Sequence, residues 1–185
     1  MNIHQLSVSF DERQDRLLLR LNTQDSQEFR FWLTRRMTAR LLPVIEQSVG
    51  RLEASQPGMT APDSSSQQIL TQLKRDAFLQ KADFSTPFAA QAQRLPLGPA
   101  PLLVTDAQFN FQPGGALQIQ FQEKSADAPS KTCQLNLQAQ LVHGLVHLIL
   151  QALPLANWAL PTGIPAETNM ATPAEAEPDK PRYAH

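Results

Sequence analysis

Residues 16–33 read RLLLRLNTQDSQEFRFWL, and this stretch decides how the first part of the chain folds. Apolar residues alternate with other types on both sides of the polar segment TQDSQ, which is typical of two β-strands joined by a turn. One face of each strand is therefore predicted to be apolar and buried. The residues on these two faces are Leu17, Leu19, Leu21, Phe29, Phe31 and Leu33.

The flanking sequence extends this hairpin in both directions. Residues 5–10 (QLSVSF) show the same alternation and are separated from the hairpin by a short polar turn, which indicates a three-stranded antiparallel meander. From Thr34 the apolar spacing becomes helical, with Met37, Leu41 and Ile45 on one stripe. We predict a helix to about residue 54, capped by Thr34 and either kinked or restarted at Pro43.

The second half of the chain repeats this order. Segments 106–112 (DAQFNFQ), 117–122 (LQIQFQ) and 133–138 (CQLNLQ) alternate as strands, and a helix follows from about 139 to 153, ending before Pro154. The predicted fold class is α+β, with two antiparallel three-stranded meanders each followed by a helix. Half-repeats at about 4–54 and 102–156 suggest a pseudo-duplication, although any two such meanders would match in part. The pattern leaves open whether the halves form one sheet or two.

The remaining segments connect or extend the halves. A helix over 67–81 is predicted, with Ser65 and Gln68 in capping-box spacing, followed by a proline-rich crossing at 82–101. Residues 1–160 are expected to form a single α+β domain. Residues 161–185 are rich in proline, alanine and acidic residues and are predicted to be a disordered tail.

Composition limits the function classes. The chain has 185 residues, 16 basic and 17 acidic, so its net charge of −1 gives no overall attraction to nucleic acid or anionic lipid. One cysteine, Cys133, excludes a disulfide framework and a cysteine-based zinc site. The start of the chain does not resemble a signal peptide, and residues 141–160 are too polar for a membrane span. We expect a cytoplasmic, bacterial protein with no membrane partner.

The sequence offers little for catalysis or cofactor binding. It contains no nucleophile elbow (GxSxG), P-loop or dinucleotide-binding (GxGxxG) motif. His143 and His147 lie one helical turn apart in HGLVH, but Gly144 stands where a zincin has its glutamate, so surface or interface histidines are favoured over metal ligands. Cys133 is predicted to face the core. We therefore expect a non-enzymatic protein with no catalytic residue, cofactor or metal.

Two strand faces predicted to be exposed carry the functional hypotheses. In the first half the exposed face carries Arg20, Arg30 and Trp32, and it continues along the chain to Arg35 and Arg36. Arginines interleaved with an aromatic ring are typical of surfaces that bind single-stranded nucleic acid. A solvated face with one covered tryptophan is the plainer interpretation. In the second half, nine amide residues share one face: Gln108, Asn110, Gln112, Gln118, Gln120, Gln122, Gln134, Asn136 and Gln138.

The amide face favours a different class of function. Amide side chains both donate and accept hydrogen bonds, so this face could meet another protein, although a general preference for glutamine explains it as well. The alternative function is therefore a protein–protein adaptor or chaperone-like module that uses the amide face and the apolar last helix. Such a helix is either central in the core or at a subunit interface, so a homo-oligomer is also considered.

In topology alone, the repeated meander–helix order resembles the Whirly group of single-strand binders. Units of that group usually have four strands, whereas three are counted in each half of this chain. No motif is shared at the level of residues, so the resemblance implies no site residue.

Overall fold

The computed structural model describes residues 3–54, 64–82, 86, 88, 94–112, 114–126 and 128–159. Within these ranges the chain forms seven strands and three helices in a mixed α+β arrangement. The predicted tail at 161–185 lies outside the described residues. The strands are β1 (Ile3–Asp11), β2 (Arg16–Thr23), β3 (Glu28–Thr34), β4 (Leu102–Leu103), β5 (Asp106–Gln112), β6 (Ala116–Glu123) and β7 (Lys131–Gln138), and the helices are α1 (Arg35–Ala54), α2 (Ser64–Lys81) and α3 (Ala139–Leu155).

The first sheet has the order β1-β2-β3-β4. Strands β1 to β3 form the predicted antiparallel meander, with Val8, Leu19 and Phe31 opposite one another. The count of three strands is wrong for this sheet, because Leu102 and Leu103 pair with β3 as a short parallel fourth strand. A strand of only two leucines is too short to show alternation, so periodicity could not reveal it.

The second sheet contains β5, β6 and β7 as an antiparallel meander, as predicted. The halves therefore form two sheets rather than one. The chain passes from the first sheet to the second between Leu103 and Asp106, where the backbone N–H of Val104 still donates to the carbonyl of Trp32 at 3.0 Å.

The two sheets and the helices share one apolar core. The rings of Phe31 on β3 and Phe121 on β6 lie 5.1 Å apart between centroids, so the central strands of the two sheets meet. Each helix packs against strands of both halves: α3 contacts β6 and β7 of its own half and β1 of the other, and α1 contacts β3 of its own half and β5 and β6 of the other. Each half therefore covers apolar surface of the other, which a lone three-stranded meander with one helix could not bury.

Helix boundaries differ from the sequence prediction at Pro154 and at the start of α2, and of the two alternatives at Pro43 the restart is excluded. Helix α1 runs through Pro43 without a restart, and α3 continues past Pro154 to Leu155. At the end of α3 the N–H of Ala156 donates to the carbonyl of Ala152 at 3.1 Å, so the last turn stays closed beyond the proline. Helix α2 begins at Ser64, three residues earlier than predicted. None of the helices described here is long and apolar enough to cross a bilayer.

Candidate functional site

The outer face of the first meander gathers three of the five predicted site residues. Strand pairing places Arg20 on β2 directly opposite Arg30 on β3, and Trp32 follows on β3 opposite Leu18. Because residues that alternate along a strand share a face, the three side chains lie on the side of the sheet away from the core. We call Arg20, Arg30 and Trp32 the arginine face.

The two guanidinium groups of this face have different neighbours. The Nε of Arg30 lies 3.4 Å from Oε1 of Glu28, which is only 7% exposed. The guanidinium of Arg20 lies over the ring of Phe88, 4.4 Å from its centroid. Like charges directly opposite on neighbouring strands destabilise a sheet. An anion bound between the two arginines would relieve that repulsion.

Hydrogen bonding at the arginines is incomplete. The Nε atoms of both Arg20 and Arg30 are buried and have no hydrogen-bond partner among the described residues. A guanidinium presents five N–H donors in a planar fork that matches the oxygens of phosphate. The arginine face therefore holds two guanidinium groups whose buried Nε atoms make no hydrogen bond, although that of Arg30 lies in ion-pair range of Glu28.

Trp32 lies next to these cations and is only partly buried. It pairs across the sheet with Leu18 on one side and Leu103 on the other. The proline-rich crossing does approach this sheet, through Phe88 over Arg20 and a bridge between Gln27 and Arg94. The indole keeps an exposed portion on which a planar group can stack.

Arg35 and Arg36 lie beyond the arginine face rather than on it. They form the exposed first residues of α1, immediately after β3 ends at Thr34. The hydroxyl of Thr34 accepts from the N–H of Met37 at 3.2 Å, which confirms Thr34 as the cap. Arg35 Nη2 donates to the carbonyl of Ala159 at 3.4 Å, and no acidic residue occupies the first turn of α1.

The nine amides of the second meander share its outer face, as the register shows. Asn110, Gln118 and Asn136 stand in one row and are joined by side-chain hydrogen bonds of 3.4 Å each. Asp106 lies at the end of this face beside Lys124 at 3.1 Å. The hydroxyl of Thr105, and then Lys124, lower the pKa of Asp106 by stabilising its carboxylate. We call the nine residues the amide face.

Burial shifts the pKa values of both Cys133 and His147. Cys133 is buried on β7 as predicted, and burial raises the pKa of its thiol to about 11. His147 is partly buried, and burial followed by the charge of Arg75 lowers its pKa. The described residues contain no group of three or more His, Cys, Asp or Glu side chains that could hold a metal ion.

Sequence reasoning missed the partners of three polar groups. The partner of Arg20 is Phe88, which lies in the aperiodic crossing. The partner of Arg30 is Glu28, and the sequence around Glu28 indicates only the start of a strand. His143, expected on a surface or at an interface, is buried, with its Nε2 2.8 Å from Oε1 of Glu53. The contacts of Phe88 with Arg20 and of Glu53 with His143 join residues distant in sequence, so local periodicity carries no signal for them. Glu28 and Arg30 stand two positions apart on one strand, so alternation was sufficient to place them on the same face.

Comparison with known proteins supplies no relative for this arrangement. The chain matches no protein-family model, no curated protein and no solved structure.

Proposed function

We propose that this chain is a non-enzymatic protein that binds single-stranded nucleic acid on the arginine face. The observation that carries the proposal is the placement of Arg20 opposite Arg30, one row from a partly exposed Trp32. Single-strand binders combine cations that follow the phosphates with aromatic rings on which bases stack. Both components are adjacent here.

The geometry suggests how the groups divide the task. Arg20 and Arg30, which stand opposite each other on neighbouring strands, would hold one phosphate between their guanidinium groups. The ring of Phe88 beneath Arg20 would keep that guanidinium oriented before binding. Trp32 would stack on a neighbouring base, and the exposed Arg35 and Arg36 would contact the next phosphates.

Charge limits the strength of such binding. Residues 1–54 contain 8 arginines and 7 acidic residues, so the local net charge is only +1. We therefore expect binding that is weak at physiological salt and falls steeply as salt rises, because released counterions supply most of the free energy.

Fluorescence anisotropy with a labelled oligothymidine tests the proposal across a salt series. Arg20→Ala with Arg30→Ala should weaken binding and reduce the slope of log K against log salt by about 0.7 for each phosphate that the variant no longer neutralises. The matched control, Arg13→Ala with Arg51→Ala, removes two exposed arginines elsewhere and should retain more of the affinity. Absence of binding at low salt, or equal weakening in both variants, would contradict the proposal.

Tryptophan fluorescence tests the stacking role separately. The chain has two tryptophans, Trp32 and Trp158. Trp158 is buried and donates from Nε1 to Asp15 at 3.1 Å, so it should not respond to a bound strand. We expect the oligonucleotide to quench the wild type and Trp158→Phe, but not Trp32→Phe. Quenching that survives Trp32→Phe would exclude stacking on Trp32.

We also propose that the two halves are a structural pseudo-duplication. Support comes from the shared order of three strands and a helix, and from burial of matched third-strand residues such as Phe31 and Leu135. Superposing the Cα atoms of the halves in a crystal structure tests this. Helices on opposite sides of their meanders in the two halves would argue against it.

A protein–protein adaptor is the second candidate function. The apolar residues of α3, such as Val142, Leu145 and Ile149, are buried in the chain's own core, so that helix offers little contact surface. Helix α2 instead exposes Ile69 (67%) and Leu73 (64%), one turn apart. Self-association measured by sedimentation velocity, and its disappearance on Leu73→Glu, would favour the adaptor. A monomer at every concentration would count against a homo-oligomer.

A further inference from the structure

A cavity of about 450 Å³ lies between the three helices, apart from the arginine face. Its wall includes Glu53 of α1, Lys74 and Phe78 of α2, and Gln140 and His143 of α3. We call it the three-helix cavity. Its volume is within the range of sites for small organic molecules.

The wall contains a buried carboxylate with an unused oxygen. Glu53 and His143 are 3% and 5% exposed, and the His143 ring donates from Nε2 to Oε1 of Glu53 at 2.8 Å. The second oxygen, Oε2, is buried without a hydrogen-bond partner among the described residues. Burying a carboxylate oxygen with an unfilled acceptor is costly, and a ligand that donates to the carboxylate would offset that cost.

The rest of the wall indicates what kind of molecule would complete the site. Phe78 lies against His143, with ring centroids 6.4 Å apart and planes 30° from parallel. This ring and the small side chain of Ala77 supply an apolar side, and a cation is attracted to an aromatic face. Lys74 also lines the wall, so it adds a basic side chain beside the paired Glu53 and His143.

We propose that the three-helix cavity binds a small zwitterion that carries a protonated amine and a carboxylate, the chemistry of an amino acid. The amine would pair with the Glu53 carboxylate, and the ligand's carboxylate would pair with Lys74. His143 is then a positioning residue, because its hydrogen bond fixes the Glu53 carboxylate. A bare amine would leave Lys74 facing a like charge, and a bare carboxylate would face Glu53 in the same way.

Calorimetry and thermal unfolding with four probes of equal carbon number test the proposal on the full chain. The zwitterions are 4-aminobutanoate and L-2-aminobutanoate, and the single-charge controls are butylamine and butanoate. We expect at least one zwitterion to bind saturably and raise the Tm, with both controls at least about tenfold weaker. No binding of either zwitterion up to about 10 mM, or equal binding of a single-charge control, would overturn the proposal.

Variants locate the binding. Glu53→Gln keeps the shape and an acceptor for His143 but removes the charge, and should weaken the zwitterion at least about tenfold. Lys74→Ala should bring the affinity down to that of butylamine, whereas its neighbour Arg75→Ala, outside the described lining, should leave it unchanged.

A second variant covers the case in which Glu53→Gln does not fold. Ala77 is exposed on α2 and lines the cavity, so Ala77→Phe fills the site without altering the buried Glu53–His143 pair. Binding should be abolished in this variant. Unchanged affinity in Ala77→Phe would place the ligand elsewhere and overturn the proposal.

Discussion

The two meanders share one topology and carry opposite chemistry on their outer faces. The arginine face holds two guanidinium groups against one buried carboxylate, with a partly buried indole beside them. The amide face holds nine neutral side chains, most of them exposed, with cross-strand hydrogen bonds of 3.4 Å. The inner faces are alike, because both are apolar and buried. Burial therefore specifies the inner face of each sheet, whereas the outer face is free to differ in function.

The largest expected effect is the loss of stability when a buried phenylalanine is removed from either inner face. Phe31→Ala and Phe121→Ala should each lower the free energy of unfolding by about 3–5 kcal/mol, because each leaves a cavity in the common core. Their rings lie 5.1 Å apart, so the double variant should be destabilised by an amount that differs from the sum of the single effects. Urea unfolding measures all three. Two separate transitions would show that the halves are independent.

A smaller effect concerns the first inward-facing residue of the third strand in each meander. Phe29 begins the inner face of β3, and Cys133 occupies the corresponding buried position on β7. The pKa of Cys133 is raised from 9.0 to about 11 by burial, so the folded chain should hold about a hundredfold less thiolate at neutral pH. We expect slow labelling by a disulfide reagent in buffer and rapid labelling in denaturant. Equal rates would mean that this strand is open to solvent.

The smallest effect is the difference in stability between one substitution on the arginine face and one on the amide face. Arg30→Ala removes the cation beside the buried Glu28 carboxylate and should destabilise the chain by about 1–3 kcal/mol. Gln118→Ala on the amide face breaks only solvent-exposed hydrogen bonds and should change stability by less than about 0.5 kcal/mol. Chemical denaturation compares the two. Similar destabilisation by both substitutions would contradict the distinction between the faces.

Much of the fold was predictable because alternation is strong where one sheet face is buried. The six long strands and three helices follow from positions such as Leu19, Phe31 and Leu135, which the structure buries. Strand β4 was not predictable, because its two residues depend on a parallel partner about 70 positions earlier in the chain. The end of α3 was also missed, because tertiary packing of Ala156 and Trp158 outweighs the helix-breaking effect of Pro154.

The candidate sites divide in the same way. Alternation alone placed Arg20, Arg30 and Trp32 on a common face, and the register confirmed it. The burial of Glu28, the position of Phe88 over Arg20 and the pairing of Glu53 with His143 depend on how distant elements pack. A sequence pattern describes which face a residue occupies on its own element, but not which side chain of another element it meets.

The packing of α3 against β1 has a consequence during synthesis. Leu6, Val8 and Phe10 of β1 pack against the common core, to which α3 contributes. More than a hundred residues separate that strand from this helix, at Ala139–Leu155. A ribosome therefore delivers the first meander well before the helix that packs against it. During that interval the apolar face of the first meander lacks the cover that α3 gives it, and the fold is completed only after the last helix has been synthesised.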